Sequence, residues 1–346
     1  MSAACAPVLG SRLSLVKAAR MAAQPQPPAS GPVPVPPPPQ VTGNHRPLTP
    51  AATGFGLFLA ALWGGNPSAI KVGLEDAGPL RLAGYRFVAG GIVTIAWALA
   101  TKQSMIPTRR DLPFLGGLAV LFSVQIALMN IGQDHTTASH ASVIGQTFPL
   151  WTGVIAHFVV PGDRLTMPRI IGTLVAYLGV VAVVSQGFEA SSETLVGDVL
   201  MVGSAILLGS RLVYTSMASQ SVAMPKLLMT QVVVGIVVFL GLGAVVEDDP
   251  WVFTDRLLMS VLYQGVIIAG FGFIANMWML KNFLPSGVAA LSLSTPIWGV
   301  IIAHYVLGDD IGPSLFLGVG LVVAGMSYAH VAMVRQQRRA LREGGA

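Results

Sequence analysis

The sequence predicts an all-α membrane protein of ten transmembrane helices in two inverted five-helix repeats. Three observations carry that prediction. Apolar runs of about twenty residues recur from residue 51 onward, each long enough to cross ~30 Å of hydrocarbon. The charges between those runs alternate in sign along the chain. A segment built around Pro-x-Trp occurs twice, with opposite charges flanking its two copies.

Composition sets the solvent. Of 346 residues, 53% are hydrophobic and only 10% are charged, whereas a soluble domain carries roughly 25% charge to cover its surface. The 39 glycines fit transmembrane helices, in which Gly is frequent. The net charge of +5 is spread over short loops and tails, not along one face, so nucleic acid is excluded as a partner and the lipid bilayer is expected instead. Cys5 is the single cysteine. An intrachain disulfide is therefore impossible, no metal site can rest on thiolates, and no cofactor is implied.

Residues 1–50 hold half of the prolines, including Pro36, Pro37, Pro38 and Pro39. Such a run favours solvated polyproline II, so a disordered cytoplasmic tail is expected. No apolar stretch follows Arg12, Lys17 and Arg20, which argues against a signal peptide, and Met21 offers an alternative start. The ten spans then lie near 52–72, 80–100, 112–132, 138–160, 169–187, 196–217, 226–246, 257–279, 285–307 and 313–333. They group into a first repeat over 51–187 and a second over 196–333, followed by a basic tail at 334–346.

With both termini cytoplasmic, one side collects Lys102, Arg109, Arg110, Arg164, Arg169, Lys226, Lys281 and Arg335. The other collects Glu75, Asp76, Asp134, Glu189, Glu193, Glu247, Asp248, Asp249, Asp255, Asp309 and Asp310. Lys71, Arg81 and Arg256 are the basic residues near that second face. This is the positive-inside pattern of a multi-pass protein of the cytoplasmic membrane.

The repeat is specific. The run from Pro149 through Trp151 and His157 to Val159 returns from Pro296 through Trp298 and His304 to Val306. Gly162-Asp163 then matches Gly308-Asp309, Gly172 matches Gly318, and Gly179 matches Gly325. An offset of five spans, an odd number, makes the copies cross in opposite directions. Arg164 and Arg169 follow the first copy where acids follow the second. Inverted repeats of this kind are a mark of secondary transporters.

In this layout the chain resembles the EamA-type permeases of the drug/metabolite transporter superfamily. The resemblance rests on Leu62-Trp63-Gly64-Gly65-Asn66-Pro67 followed by Lys71, on Arg86, on Pro149 and Pro296, and on the two Gly-acid turns. It covers residues 51–333. Asp stands in both turns where the family usually has Glu, and the proline-rich tail is atypical. The resemblance implies cytoplasmic termini, a central substrate cavity between the halves, and export or exchange of a small metabolite or drug by alternating access.

Candidate site residues follow from the cost of polar groups in lipid. Arg211 in span six aligns with Asn66 or Pro67 of span one, where it either binds a carboxylate or phosphate or snorkels to the cytoplasmic end. Arg86 is read mainly as support for structure and topology. Trp63, Trp151 and Trp298 are stacking walls for a substrate or ordinary packing. Asn66, Gln146 and Asn276 are mid-span amides that bond a ligand or a neighbouring helix. Pro67, Pro149 and Pro296 are expected to interrupt their helices and act in gating. The spans are read as free of Asp and Glu, which leaves the repeated pair His157 and His304 as titratable groups for coupling. His140 is expected only to face polar surroundings. The small residues Gly172, Ala176 and Gly179, and Gly320, Ala324 and Gly325, suit close helix packing within a chain or in a homodimer.

An intramembrane enzyme would need convergent acids, a nucleophile with its base, or a metal cluster, and none is legible. No Walker sequence is present, so ATP-driven pumping is unsupported. A passive pore or a ligand-sensing membrane protein on the same fold is the alternative to a carrier.

Overall fold

The predicted runs are helical over most of their described length, with breaks in the fourth and ninth. The computed structural model describes residues 48–100, 102, 104–159, 166–248, 252–283, 288 and 291–343. The helices are α1 (Pro50–Leu74), α2 (Pro79–Ala100), α3 (Leu112–His135), α4 (Ala138–Gly145), α5 (Phe148–Val159), α6 (Met167–Ala190), α7 (Ser192–Ala218), α8 (Met224–Val246) and α9 (Asp255–Leu262). A π-helical segment, Tyr263–Gly272, leads into α10 (Phe273–Asn282), and α11 (Thr295–Leu307) and α12 (Pro313–Glu343) complete the chain. Among the described residues no strand forms. The tail before residue 48 and the first Gly-acid turn, Gly162-Asp163 with Arg164, lie outside the described residues.

Caps set the helix starts. Thr49 accepts from Ala52 N–H ahead of α1, Thr137 from His140 N–H ahead of α4, Ser191 from Thr194 N–H ahead of α7, and Thr254 from Leu257 N–H ahead of α9. Each satisfies one of the orphan donors of a first turn.

Six helical stretches are long and apolar enough to cross a membrane: Pro79–Ala100, Leu112–His135, Ser192–Ala218, Pro225–Val246, Asp255–Asn276 and Pro313–Ala332. Ile170–Val183 and Thr295–Leu307 are apolar but shorter. Large apolar side chains such as Ile92, Val120, Val181 and Val237 point outward and are exposed. That surface is costly in water and free in lipid.

Spans four and nine are not the continuous helices expected. The fourth breaks at Gln146–Thr147 between α4 and α5, and α11 starts afresh after a turn at Leu293 and Ser294. Pro149 and Pro296 therefore do not kink a helix. Each is the second residue of a new one, where a missing N–H costs little. Pro67 alone of the three lies inside a continuous helix.

Helix pairing follows a simple exchange. The helix of span five, α6, packs on that of span ten, α12, and α2 of span two packs on α8 of span seven. The α3–α7 contact of spans three and six has its counterpart in α1 against span eight. The α5–α7 contact likewise has its counterpart in α11 against α1. Swapping the halves turns each of these pairings into itself or into another of them.

Two close approaches show the same exchange at atomic scale. A Cβ on Gly64 would sit 2.8 Å from Gly299 N and 2.9 Å from Trp298 Cβ. One on Gly209 would sit 2.8 Å from Thr152 N and 2.9 Å from Trp151 Cβ. Between α6 and α12, Gly172 meets Gly325 while Gly179 meets Gly318, so these helices run antiparallel. The small-residue stripes are thus used within one chain, and Gly320 faces open space instead.

The buried core joins both stretches of the chain. One cluster combines Val143, Ile144, Leu150 and Ala176 with Met201, Val300, Leu315, Val322 and Met326. Another sets Phe122 edge-to-face with Phe87 and Phe239 at ring separations of 5.0 and 6.5 Å.

Candidate functional site

The polar groups of the bundle gather at its ends, and the two ends differ. At the acid-rich end, Glu247 accepts from the N–H groups of Leu80 and Arg81 at 2.6 and 3.0 Å, capping α2 from across the bundle. The Arg81 side chain pairs with the same carboxylate and donates to the Gly243 carbonyl at 3.0 Å. Arg256 pairs with Glu75 and Asp76, and Thr254 donates to Asp76 at 2.6 Å. The Thr254 hydroxyl first, and then Arg256, hold the Asp76 carboxyl below its ordinary range. Lys71 Nζ donates to the carbonyls of Gln133 and Asp134 at 3.0 and 2.7 Å, capping the end of α3.

The second Gly-acid turn belongs to this end. Gly308 closes α11 in the left-handed region, with φ +75°. That conformation favours glycine. It presents Asp309, whose carboxylate accepts from Ser139 N–H at 2.8 Å. A turn read from sequence as a topological marker is therefore a link to the start of α4.

Beside that link lies a residue that corrects the sequence reading. Asp198 sits inside span six, so the spans are not free of acids, and it is fully buried. Thr136 Oγ1 donates to it at 2.5 Å, and His140 Nδ1 lies 2.9 Å from its Oδ2, with the ring proton assigned to Nδ1. A lone Asp in the apolar run Leu195-Val196-Gly197-Asp198-Val199-Leu200 was the available signal. Thr136 bonds the carboxylate and not the imidazole, so this is not a nucleophile–base–acid relay. Its chemistry is a buried hydrogen-bonded pair across α4 and α7.

At the basic end the described polar contacts between the halves are sparser. Lys226 pairs with Asp111 at 2.8 Å. That ammonium first, and then the Thr108 N–H, lower the Asp111 pKa to about 2. Tyr214 donates to the Phe114 carbonyl at 3.0 Å. A cleft of about 500 Å³ opens here between α1 and the π-helical segment with α10, lined by Ala52, Phe55, Phe271, Ala275 and Trp278.

The predicted site residues fall at two related crossings. Where α1 meets α11, Trp298 lies against Gly64, two residues before Asn66, and Trp63 lies beside Gly272. Where α7 meets α5, Trp151 lies against Gly209, two residues before Arg211. Gly64 and Gly209 thus hold corresponding places in the two crossings. Trp151 also stacks on Tyr177 with centroids 4.6 Å apart, so one of its faces is already covered. Tyr263 donates to the Leu62 carbonyl at 2.8 Å, one residue before the Trp63 carbonyl to which Pro67, lacking an N–H, cannot donate.

The others lie apart. Gln146 caps the break after α4, and Asn276 is on α10, partly exposed. His157 and His304 sit on the exposed last turns of α5 and α11, each in edge contact with the following ring, Phe158 or Tyr305. Arg86 does more than the sequence reading gave it. Its guanidinium lies 4.8 Å over Phe87 and within electrostatic reach of Arg211, which lies 5.2 Å over Phe122. No sequence pattern places these two together. Among the described residues, no group of three or more His, Cys, Asp or Glu could hold a metal ion.

Comparison with known proteins finds the EamA-like transporter family matched twice, over residues 52–185 and 195–329. An uncharacterized transporter of Archaeoglobus fulgidus is 25% identical over 76% of this chain and 90% of its own. A probable amino-acid metabolite efflux pump of Salmonella typhimurium is 24% identical, over 82% and 96%. The uncharacterized inner membrane transporter YedA of Escherichia coli K12 is 23% identical, over 78% and 86%. One crystal structure, 18% identical, superposes with a TM-score of 0.59 over 82% of this chain and 96% of the other, which makes the fold one already seen in a crystal.

Proposed function

Since the chain belongs to the EamA-like transporter family and is a multi-pass membrane transporter, we propose that it is a secondary carrier of a small metabolite. It works by alternating access between two inverted five-helix halves, 51–187 and 196–333. The single observation that carries this reading is the mirrored pair of crossings, Gly64 on Trp298 and Gly209 on Trp151. Two arrangements of equal local geometry but opposite direction supply one gate to each side of the membrane.

The halves are closed at the acid-rich end and open at the basic end. The acid-rich end faces outward, both termini are cytoplasmic, and the cleft at Phe55 and Trp278 is reached from the cytoplasm. Transport rocks the halves about the Trp151 and Trp298 crossings, with the broken helices α4–α5 and α11 as moving parts. Two relatives named as probable amino-acid metabolite efflux pumps support amino-acid metabolites as cargo and efflux as the direction.

Counterflow in proteoliposomes tests the reading, using labelled leucine and N-acetylleucine as probes. A carrier shows saturable uptake stimulated by the same solute on the trans side. Flux that rises linearly with concentration and ignores the trans side points to a pore and ends the carrier reading.

A further inference from the structure

Among the described residues Arg81 is paired with Glu247 and Lys226 with Asp111, and the partly buried Lys71 ammonium is held by two carbonyls. Arg86 and Arg211 are held differently. Both are strongly desolvated, and they lie close enough for their like charges to interact. Among the described residues neither has a carboxylate within pairing distance; their close partners are the Phe87 and Phe122 rings. Those rings touch each other at 5.0 Å, so the two guanidinium groups converge on one aromatic patch from α2 and α7, one from each half.

Cation–π contact stabilises each charge but does nothing to relieve the repulsion between two. Each residue also keeps part of its surface accessible. Two neighbouring guanidinium groups without a carboxylate partner in a desolvated region are what an anion completes. We propose that Arg86 and Arg211 together form the anion-binding site for the carried solute, which is therefore net-anionic: a carboxylate or phosphate ester lacking a compensating ammonium.

The exclusion of zwitterions is the sharper half of the proposal. An ammonium would need an acid nearby. Asp198 stands about 20 Å along α7 from Arg211 at 1.5 Å per residue, and it is already bonded to Thr136 and His140. The remaining described acids lie at the two ends of the bundle. A free amino acid would bring one charge the site pairs and one it leaves bare. The argument rests on the carrier reading for the solute's role, but binding can be measured without flux.

The test is thermal unfolding of the purified full chain with leucine-derived probes of graded charge, namely N-acetylleucine, leucine and leucinamide, together with succinate and inorganic phosphate. At least one of the three anions is expected to raise the unfolding midpoint saturably, and leucinamide to leave it unchanged. Arg86→Gln and Arg211→Gln should each weaken that apparent affinity about tenfold or more. Should a Gln variant fail to fold, the Arg→Lys variant decides: charge without the planar fork predicts a several-fold loss. No shift with any anion, an affinity unchanged in the variants, or stronger protection by leucine or leucinamide overturns the proposal. An anion bound through both arginines but never exchanged across vesicles keeps this site and removes the carrier. Exchange of leucinamide without anion binding does the reverse.

Discussion

The two ends of the bundle are built from the same repeated unit, yet they are held in different ways. At the acid-rich end three ion pairs, Arg81–Glu247, Arg256–Glu75 and Arg256–Asp76, and two histidine–carboxylate contacts, His135–Glu193 and His140–Asp198, bridge early and late helices. At the basic end one does among the described residues, Lys226–Asp111. In lipid the apolar surface of helices gives little drive to associate, so polar links and close backbone packing decide which ends stay together. The difference teaches which end carries more side-chain links among the described residues. It also separates two jobs, since the glycine crossings in the middle are mirrored while the end contacts are not.

The comparison breaks first at Glu247. Glu247→Ala strips Arg81, only 3% exposed, of its partner and uncaps α2. The expected cost is about 3–5 kcal/mol, read from unfolding in detergent, against no change for Asp310→Ala at the same end. An equal effect in both variants would mean that the latch is not structural. Next come the crossings. Gly64→Val and Gly209→Val should each cost about 1–3 kcal/mol, and by similar amounts, because the same backbone approach is blocked in both. Very different costs would end the mirror relation.

A smaller effect distinguishes the basic end through pH. Asp111, with its folded pKa lowered to about 2, contributes stability that is fully present above its unfolded value near 4. That contribution is lost as pH falls from about 4 through 2. Asp111→Asn should therefore flatten the stability profile over this window and leave it unchanged in slope near neutrality. A variant profile that still falls between pH 4 and 2 as steeply as the parent's would assign that fall elsewhere. Smallest of all, His157→Gln and His304→Gln should change stability by no more than about 0.5 kcal/mol, since both rings stand on exposed helix ends.

The duplication and the position of most described helices could be read from residue patterns because each depends on local order or on repetition. The breaks before Phe148 and Thr295 were half visible: the prolines flagged the place but not that they open new helices. Asp198 was hidden by its setting, one acid in an apolar run whose bonding partners, Thr136 and His140, lie in a different span. The meeting of Arg86 with Arg211 is a product of helix packing between halves and leaves no trace at either position. Six stretches stand out by length and apolarity where ten were expected.

Directional closure is tested most directly by labelling with a membrane-impermeant maleimide in a Cys5→Ala background. Two positions are compared, Ser139→Cys at the acid-rich end and Ala51→Cys at the rim of the cleft. Ala51→Cys should react rapidly from the cytoplasmic side, while Ser139→Cys stays protected from both sides until Asp309→Asn or Glu247→Gln loosens its end. Rapid labelling of Ser139→Cys from outside in the otherwise unaltered protein, with Ala51→Cys protected, would contradict it.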